Sequence, residues 1–215
     1  MSGRGRFITL EGGEGAGKST QAKLLASQLR GEGFDVLVTR EPGGSLRAEV
    51  LRELLLSGRV APFGPDAEAL IFALARADHL AETILPALRS GTWVISDRFA
   101  DSTWAYQGTA GVPHGRLAAL DRVAVGSHLP DLTLILDVPT TVGLARIAAR
   151  SGTADRFEAD TLDIHEARRR AFLRIADEQP QRCVVIAAAG DEDEVAEAIR
   201  AVVFARLRPV AQGCE

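Results

Sequence analysis

Short runs rich in β-branched residues and leucine alternate along this chain with longer stretches whose apolar positions recur at helical spacing. The runs Phe7–Leu10, Phe34–Thr39, Trp93–Ser96, Leu132–Val138 and Val184–Ala187 read as strands. They are nearly all apolar rather than alternating, as a strand must be when both faces of its sheet are covered. Helices are predicted over Lys18–Arg30, where Ala22, Leu25, Ala26 and Leu29 share one face, and over Leu46–Leu56, His114–Gly126, Thr140–Ala149, Ile164–Asp177 and Glu192–Leu207. A longer pattern, Asp66–Arg89, contains Pro86, which predicts a kink or a break there. Alternating strands and helices predict an α/β fold with a parallel sheet covered on both faces. No repeat or linker divides the chain, so residues 1–215 are expected to form one domain, with a mobile segment over about 146–160 and a frayed tail over about 208–215.

Composition narrows the class. The chain has 215 residues, 46% of them apolar and 25% charged, which excludes disordered and collagen-like classes. A net charge of -4 lacks the basic surface that a duplex binder uses to displace counterions, so no nucleic-acid partner is expected. The two cysteines, Cys183 and Cys214, have no metal-site spacing, and the N-terminus lacks the apolar region of a signal peptide. Nor does any apolar run reach the roughly 18 residues of a membrane span. A soluble, cytoplasmic protein without a membrane partner follows as the expectation.

The strongest chemical signal is Gly12-Gly13-Glu14-Gly15-Ala16-Gly17-Lys18-Ser19, which fits G-x-x-x-x-G-K-[ST] and sits between a predicted strand and a predicted helix. Glycines let several backbone N–H groups converge on one anion, and the helix start adds its positive end. Lys18 is placed to reach the β- and γ-phosphates of a nucleotide, Ser19 to ligate Mg²⁺, and Thr20 completes the ATP site. This loop is shared by GTPases, ATPases and kinases, but no guanine-reading N-K-x-D segment is present. Asp97-Arg98 ends a predicted strand, where an aspartate faces the ligand crevice of an open α/β sheet. Asp97 is the candidate metal residue, with Asp137 as its rival, and Arg98 suits an acceptor phosphate. Arg146, Arg150 and Arg156 fall in the segment expected to be mobile, where they can supply charge to a transferring phosphoryl group. Arg168-Arg169-Arg170 is a similar run and reads as solvent-facing.

Together with the glycine loop, the segments Thr39-Arg40-Glu41-Pro42-Gly43-Gly44, Phe72-Ala73-Leu74-Ala75-Arg76, Gly91 to Arg98, Ser102 to Gly108, Pro130 to Val138 and Asp155-Arg156-Phe157-Glu158 resemble the thymidylate kinases in order and spacing, from about Phe7 to Leu207. The resemblance implies a P-loop nucleoside-monophosphate-kinase fold with a five-stranded parallel sheet, flanking helices and a mobile lid. It implies ATP and Mg²⁺ on the donor side, dTMP as acceptor, dTDP as product and a homodimer. Phe72 matches a residue that stacks on thymine, and Arg76 one that donates to thymine O4. Arg40 and Arg98 match residues near the acceptor phosphate, Tyr106 one beside the sugar C2′, and Thr103 and Gln107 ones that face the base. Glu14 in the loop, with arginines in the lid, resembles the bacterial-type branch and places Glu14 on the dTMP side as well. The competing readings are another P-loop nucleotide or deoxynucleoside kinase, and a nucleotide-binding module without catalysis.

Overall fold

A computed structural model of the chain describes residues 4–149 and 156–207, and every structural statement below concerns those residues. Five strands, β1 (Phe7–Glu11), β2 (Val36–Arg40), β3 (Trp93–Asp97), β4 (Leu132–Asp137) and β5 (Cys183–Ala187), form one sheet in the order β2-β3-β1-β4-β5. Every pairing is parallel; Thr9, for instance, lies opposite Ser96 on one side and Thr133 on the other. The central strand β1 is buried along its whole length, which explains why Phe7, Ile8 and Leu10 are apolar on both of its faces.

The first helix, α1 (Lys18–Gly31), carries the chain from β1 past β3 to β2, while the later connections lead to β4 and β5 on the opposite side. The carboxyl ends of β1, β3 and β4 therefore border the point where the winding reverses, the ligand crevice of such sheets. On one face α1 and α9 (Glu192–Leu207) pack Leu25, Ala26, Leu29, Ile199 and Val203 against Ile8, Leu10, Ile95 and Leu134. The other face is covered by α3 (Gly64–His79), α4 (Leu85–Arg89), α5 (Ala100–Thr109), α6 (His114–Ala124) and α8 (Leu162–Glu178). The remaining helices are α2 (Leu46–Leu56), packed on α3, and α7 (Thr140–Ala149), packed on α8.

Three local differences from the sequence reading have physical causes. Pro86 does not end the helical path: Leu80–Ile84 forms a widened π-turn that links α3 to α4. Proline has no N–H to donate and crowds the carbonyl four residues back, and one wider turn relieves both. The strand predicted from Phe34 begins at Val36, because Gly33 (φ 89) and a bond from Phe34 N to Leu29 O still belong to the end of α1. Finally, Ser102 to Gly108 lies on a helix, α5, that its sequence does not announce. Its buried positions include Asp101, Thr103 and Gln107, so its inner face is polar and no apolar stripe marks it. Among the described residues no helix is long and apolar enough to cross a membrane. Arg150 and the tail over 208–215 lie outside the described residues.

Candidate active site

The phosphate loop leaves β1 at Glu11 and turns through Gly12 (φ 134), Gly15 (φ 71) and Gly17 (φ 85) into α1. Gly15 is required twice over: its φ is left-handed, and a Cβ there would lie 2.1 Å from the carbonyl oxygen of Gly143. The approach is mutual, since a Cβ on Gly143 would lie 2.5 Å from the carbonyl oxygen of Glu14. The Lys18 ammonium is buried and donates to the carbonyls of Gly13 (2.7 Å) and Gly12 (3.2 Å). Burial, reinforced by the nearby Arg98 guanidinium, pushes its pKa down against the pull of Glu14, Asp97 and Glu11. The Ser19 hydroxyl donates to the Asp97 carboxylate at the end of β3.

Ser19 and Asp97 are thus a pair of hard oxygen donors at the mouth of the phosphate loop. Among the described residues no group of three or more His, Cys, Asp or Glu side chains forms a metal cage. Mg²⁺ favours such a sparse set, because it keeps several waters and takes further oxygens from nucleotide phosphates. The residues present therefore fit that ion. Asp137, the rival candidate, is occupied elsewhere: it accepts from Arg169 Nε (2.7 Å) and Nη2 (3.0 Å).

Arg98 has φ 71, a left-handed conformation unusual for a residue with a Cβ. Its surroundings enforce it: its N–H donates to Leu10 O (2.9 Å), and Ser96 Oγ donates to its carbonyl (2.7 Å). Just behind it, the fully buried Glu11 carboxylate accepts from the N–H groups of Phe99 (2.7 Å) and Ser102 (3.2 Å) and from Ser102 Oγ (2.6 Å), capping the start of α5. Burial and the neighbouring Asp101 push the Glu11 pKa up, to about 7, against Arg98 and these hydrogen bonds. The Arg98 guanidinium reaches Glu14 (2.7 Å), Ser102 Oγ (3.0 Å), the Tyr106 hydroxyl (3.0 Å) and Gly12 O (3.2 Å). Burial alone would raise the Glu14 pKa, but Arg98, Lys18 and the Tyr106 hydroxyl, which donates to it at 2.5 Å, hold it at about 2.

Across the same crevice, Arg76 is 2% exposed. Its Nε donates to Glu41 (2.8 Å) and its Nη2 to Phe99 O and Thr103 Oγ1 (3.0 Å each). Its Nη1 is buried with no hydrogen-bond partner among the described residues. Phe72 is half-buried, tilted against Phe157 at 6.3 Å. Thr103 faces Arg76, and Gln107 turns its amide toward Glu68 at 3.4 Å. Arg40 is exposed and paired with Glu49 at 3.1 Å. Arg40, Phe72, Arg76, Thr103 and Gln107, with Lys18, Ser19, Thr20, Asp97 and Arg98, border one cavity of about 780 Å³, within the range of small-molecule sites.

The arginines expected to belong to a lid are not gathered at one point among the described residues. Arg146 donates to the carbonyls of Ala188 (3.0 Å), Ala189 (3.1 Å) and Gly190 (3.3 Å) after β5, near the phosphate loop. Arg156 is ion-paired with Glu68 beside the Arg76 end of the cavity, and Arg150 lies outside the described residues. The solvent-facing reading of Arg168-Arg169-Arg170 holds for Arg170 alone. Arg168 is buried against Asp160 and Tyr106, and Arg169 is tied to Asp137, because both point from α8 toward carboxylates, that of Asp160 and that at the end of β4. Sequence reasoning gave no role to Glu11, Glu41, Arg52 or Glu68. Glu41 sits inside a recognised motif, and Arg52 in a helical pattern where nothing local marks it, yet it donates to Pro42 O (2.8 Å) and borders the cavity.

A strand–glycine loop–helix with Lys18 at its centre, facing a separate set of buried donors across a shared cavity, defines a P-loop phosphotransferase that acts on a small acceptor. The chain belongs to the thymidylate kinase family, whose model matches residues 10–199. It is 54% identical over 211 residues to the thymidylate kinase of Bradyrhizobium diazoefficiens, covering 97% of this chain and 92% of that one. It is 54% identical over 208 residues to the thymidylate kinase of Afipia carboxidovorans, covering 95% and 91%. The crystal structure of thymidylate kinase from Ehrlichia chaffeensis is similar with a TM-score of 0.75 and 32% identity, over 93% of this chain and 99% of that one.

Proposed function

We propose that this protein transfers the γ-phosphoryl of ATP to dTMP, giving dTDP and ADP. Membership of the thymidylate kinase family supports the reaction, and ATP is the phosphate donor of that family. The observation that carries the acceptor assignment is the unpartnered Arg76 Nη1, a buried cationic donor on a side chain that borders the same cavity as Lys18. A carbonyl such as thymine O4 satisfies it, whereas the cytosine amine, itself a donor, leaves it unpaired. Phe72 offers the base an aromatic face, worth about 1–3 kcal/mol in such stacking.

In the transfer, Lys18 leaves the carbonyls of Gly12 and Gly13 for the β- and γ-phosphates. An oxygen of the dTMP phosphate attacks the γ-phosphorus in line, and the bond to the bridging oxygen breaks as ADP leaves. Arg98 and Arg40 hold the acceptor phosphate, Thr103 and Gln107 border the base, and Tyr106 packs against C2′, where a ribose hydroxyl collides with it. Ser19 and Asp97 would hold Mg²⁺, which when bound neutralises charge between the phosphates. Arg146, Arg150 and Arg156 belong to a lid over about 146–160 of a single domain and supply positive charge to the transferring group; Arg156 must first leave Glu68. A cytoplasmic setting accords with two cysteines that lack metal-site or disulfide-framework spacing.

ADP release with ATP, Mg²⁺ and each nucleoside monophosphate in turn tests the reading. Fast release with dTMP and slower release with dUMP is expected. Equal or faster release with another acceptor, or with a nucleoside lacking the phosphate, overturns the acceptor assignment, and no release with any of them overturns the reaction.

A further inference from the structure

Arg168 lies 8% exposed on α8, outside the motifs of the site. Its guanidinium carbon is 4.3 Å from the centroid of the Tyr106 ring, closer than that of Arg98 at 5.0 Å. The same group donates to Phe157 O (3.2 Å) and to the Asp160 carboxylate (2.5 Å). One side chain therefore joins the ring at the sugar position to the segment that follows the lid.

The Tyr106 hydroxyl bonds to Glu14 and Arg98, and its ring lies in the buried cluster with Phe157 and Phe172. Bonds at the tip leave the ring free to rotate about its long axis, and that rotation sets which edge or face it turns to a neighbouring sugar. A planar cation lying against the ring resists the rotation. Phe157 and Phe172 meet the ring at 5.7 and 6.3 Å in edge-type contacts, which complete the enclosure. A lysine at this site keeps the charge but loses both the plane and the two-pronged attachment to Phe157 and Asp160.

We infer that Arg168 is a positioning residue for acceptor selection: by holding the plane of the Tyr106 ring and tying it to Phe157–Asp160, it sets discrimination between deoxyribose and ribose. The inference rests on the dTMP kinase reading above. It is tested by measuring kcat/KM for dTMP and for ribothymidine 5′-monophosphate, which carry the same base, in the wild type, Arg168→Gln and Arg168→Lys, with Tyr106→Ala marking full loss of selection. Both Arg168 variants are expected to lower the dTMP preference by about tenfold, the scale of a single misfitted group in a pocket. A preference within about twofold of the wild type in Arg168→Gln, whatever its absolute rate, shows a structural role only and overturns the inference. Full retention by Arg168→Lys overturns the planar argument. If Arg168→Gln fails to fold, Asp160→Ala, which removes the acceptor of one Arg168 nitrogen, is expected to lower the preference to a smaller extent, and no change there overturns it. A wild type inactive with dTMP instead overturns the function on which the inference stands.

Discussion

Lys18 rests its ammonium on two backbone carbonyls inside the phosphate loop, so it is held where anionic oxygens are to arrive. Lys18→Ala removes a charge that no neighbour replaces, and turnover is expected to fall by at least about a thousandfold, the scale of losing a preorganised charge on a transferring group. Circular dichroism checks that the fold persists, and near-wild-type ADP release rules this role out. Glu14 and Glu11 make opposite contributions to stability. The Glu14 pKa, held at about 2 against an ordinary 4.5, gives stability that is present above pH 4.5 and is lost as pH falls toward 2, on the order of 3 kcal/mol in all. The Glu11 pKa, raised to about 7, favours folding below pH 4.5 and withdraws that stability as pH rises through 7. Denaturant unfolding across pH is therefore expected to show stability falling between about pH 4.5 and 7, and Glu11→Gln, which preserves the acceptor for Phe99 N, is expected to flatten that fall. An unchanged slope in that variant shows that another group is responsible.

At the scale of elements, the phosphate loop and α7 are locked by two glycines. Replacing a helical glycine by alanine ordinarily stabilises a helix by up to about 1 kcal/mol. Gly143 is expected to reverse that sign, because its added Cβ meets the Glu14 carbonyl at 2.5 Å. Backbone cannot yield there without moving the loop, so Gly143→Ala is expected to lower kcat/KM for ATP by about tenfold to a hundredfold and to lower Tm. A variant that is more stable and fully active removes the packing argument. The same scale explains α5: its polar inner face carries Asp101 to Arg182 in a buried bidentate pair (2.7 and 2.8 Å), while Thr103 and Tyr106 border the cavity. An apolar stripe would leave those roles unfilled.

At the scale of the molecule, α2, α3 and α6 pack side by side and leave apolar side chains outward: Val50 is 64%, Leu70 56%, Leu74 55% and Val123 87% exposed. α3 thus has apolar residues outward as well as inward, where Ala69 and Ala73 are buried. Such a band on adjacent helices supports the homodimer that the family resemblance implies. Light scattering is expected to give a dimeric mass for the wild type and a monomeric one for Leu74→Glu, since a carboxylate at the centre of that face must be desolvated on association. A wild-type monomer at micromolar concentration overturns the homodimer, and a Leu74→Glu dimer places its interface elsewhere.

The glycine loop, the five strands and most helices were legible in the sequence because each depends on local order: a spacing of glycines, an apolar run, a helical period. The neighbouring segments bearing Phe72, Arg76, Asp97, Arg98 and Tyr106 were legible through their order along the chain. Which side chains meet was decided by the fold alone. β1 lies between β3 and β4, which end in Asp97 and Asp137; Ser19 bonds to Asp97, while Arg169 holds Asp137 from α8. Three consecutive arginines look alike in sequence, yet α8 turns Arg168 under Tyr106, Arg169 toward β4 and Arg170 to solvent, about 100° apart. Sequence determined the kinds of charge and the elements that carry them; burial and long-range pairing, which joins charged residues as much as 168 positions apart, as in Glu32 and Arg200, decided their partners.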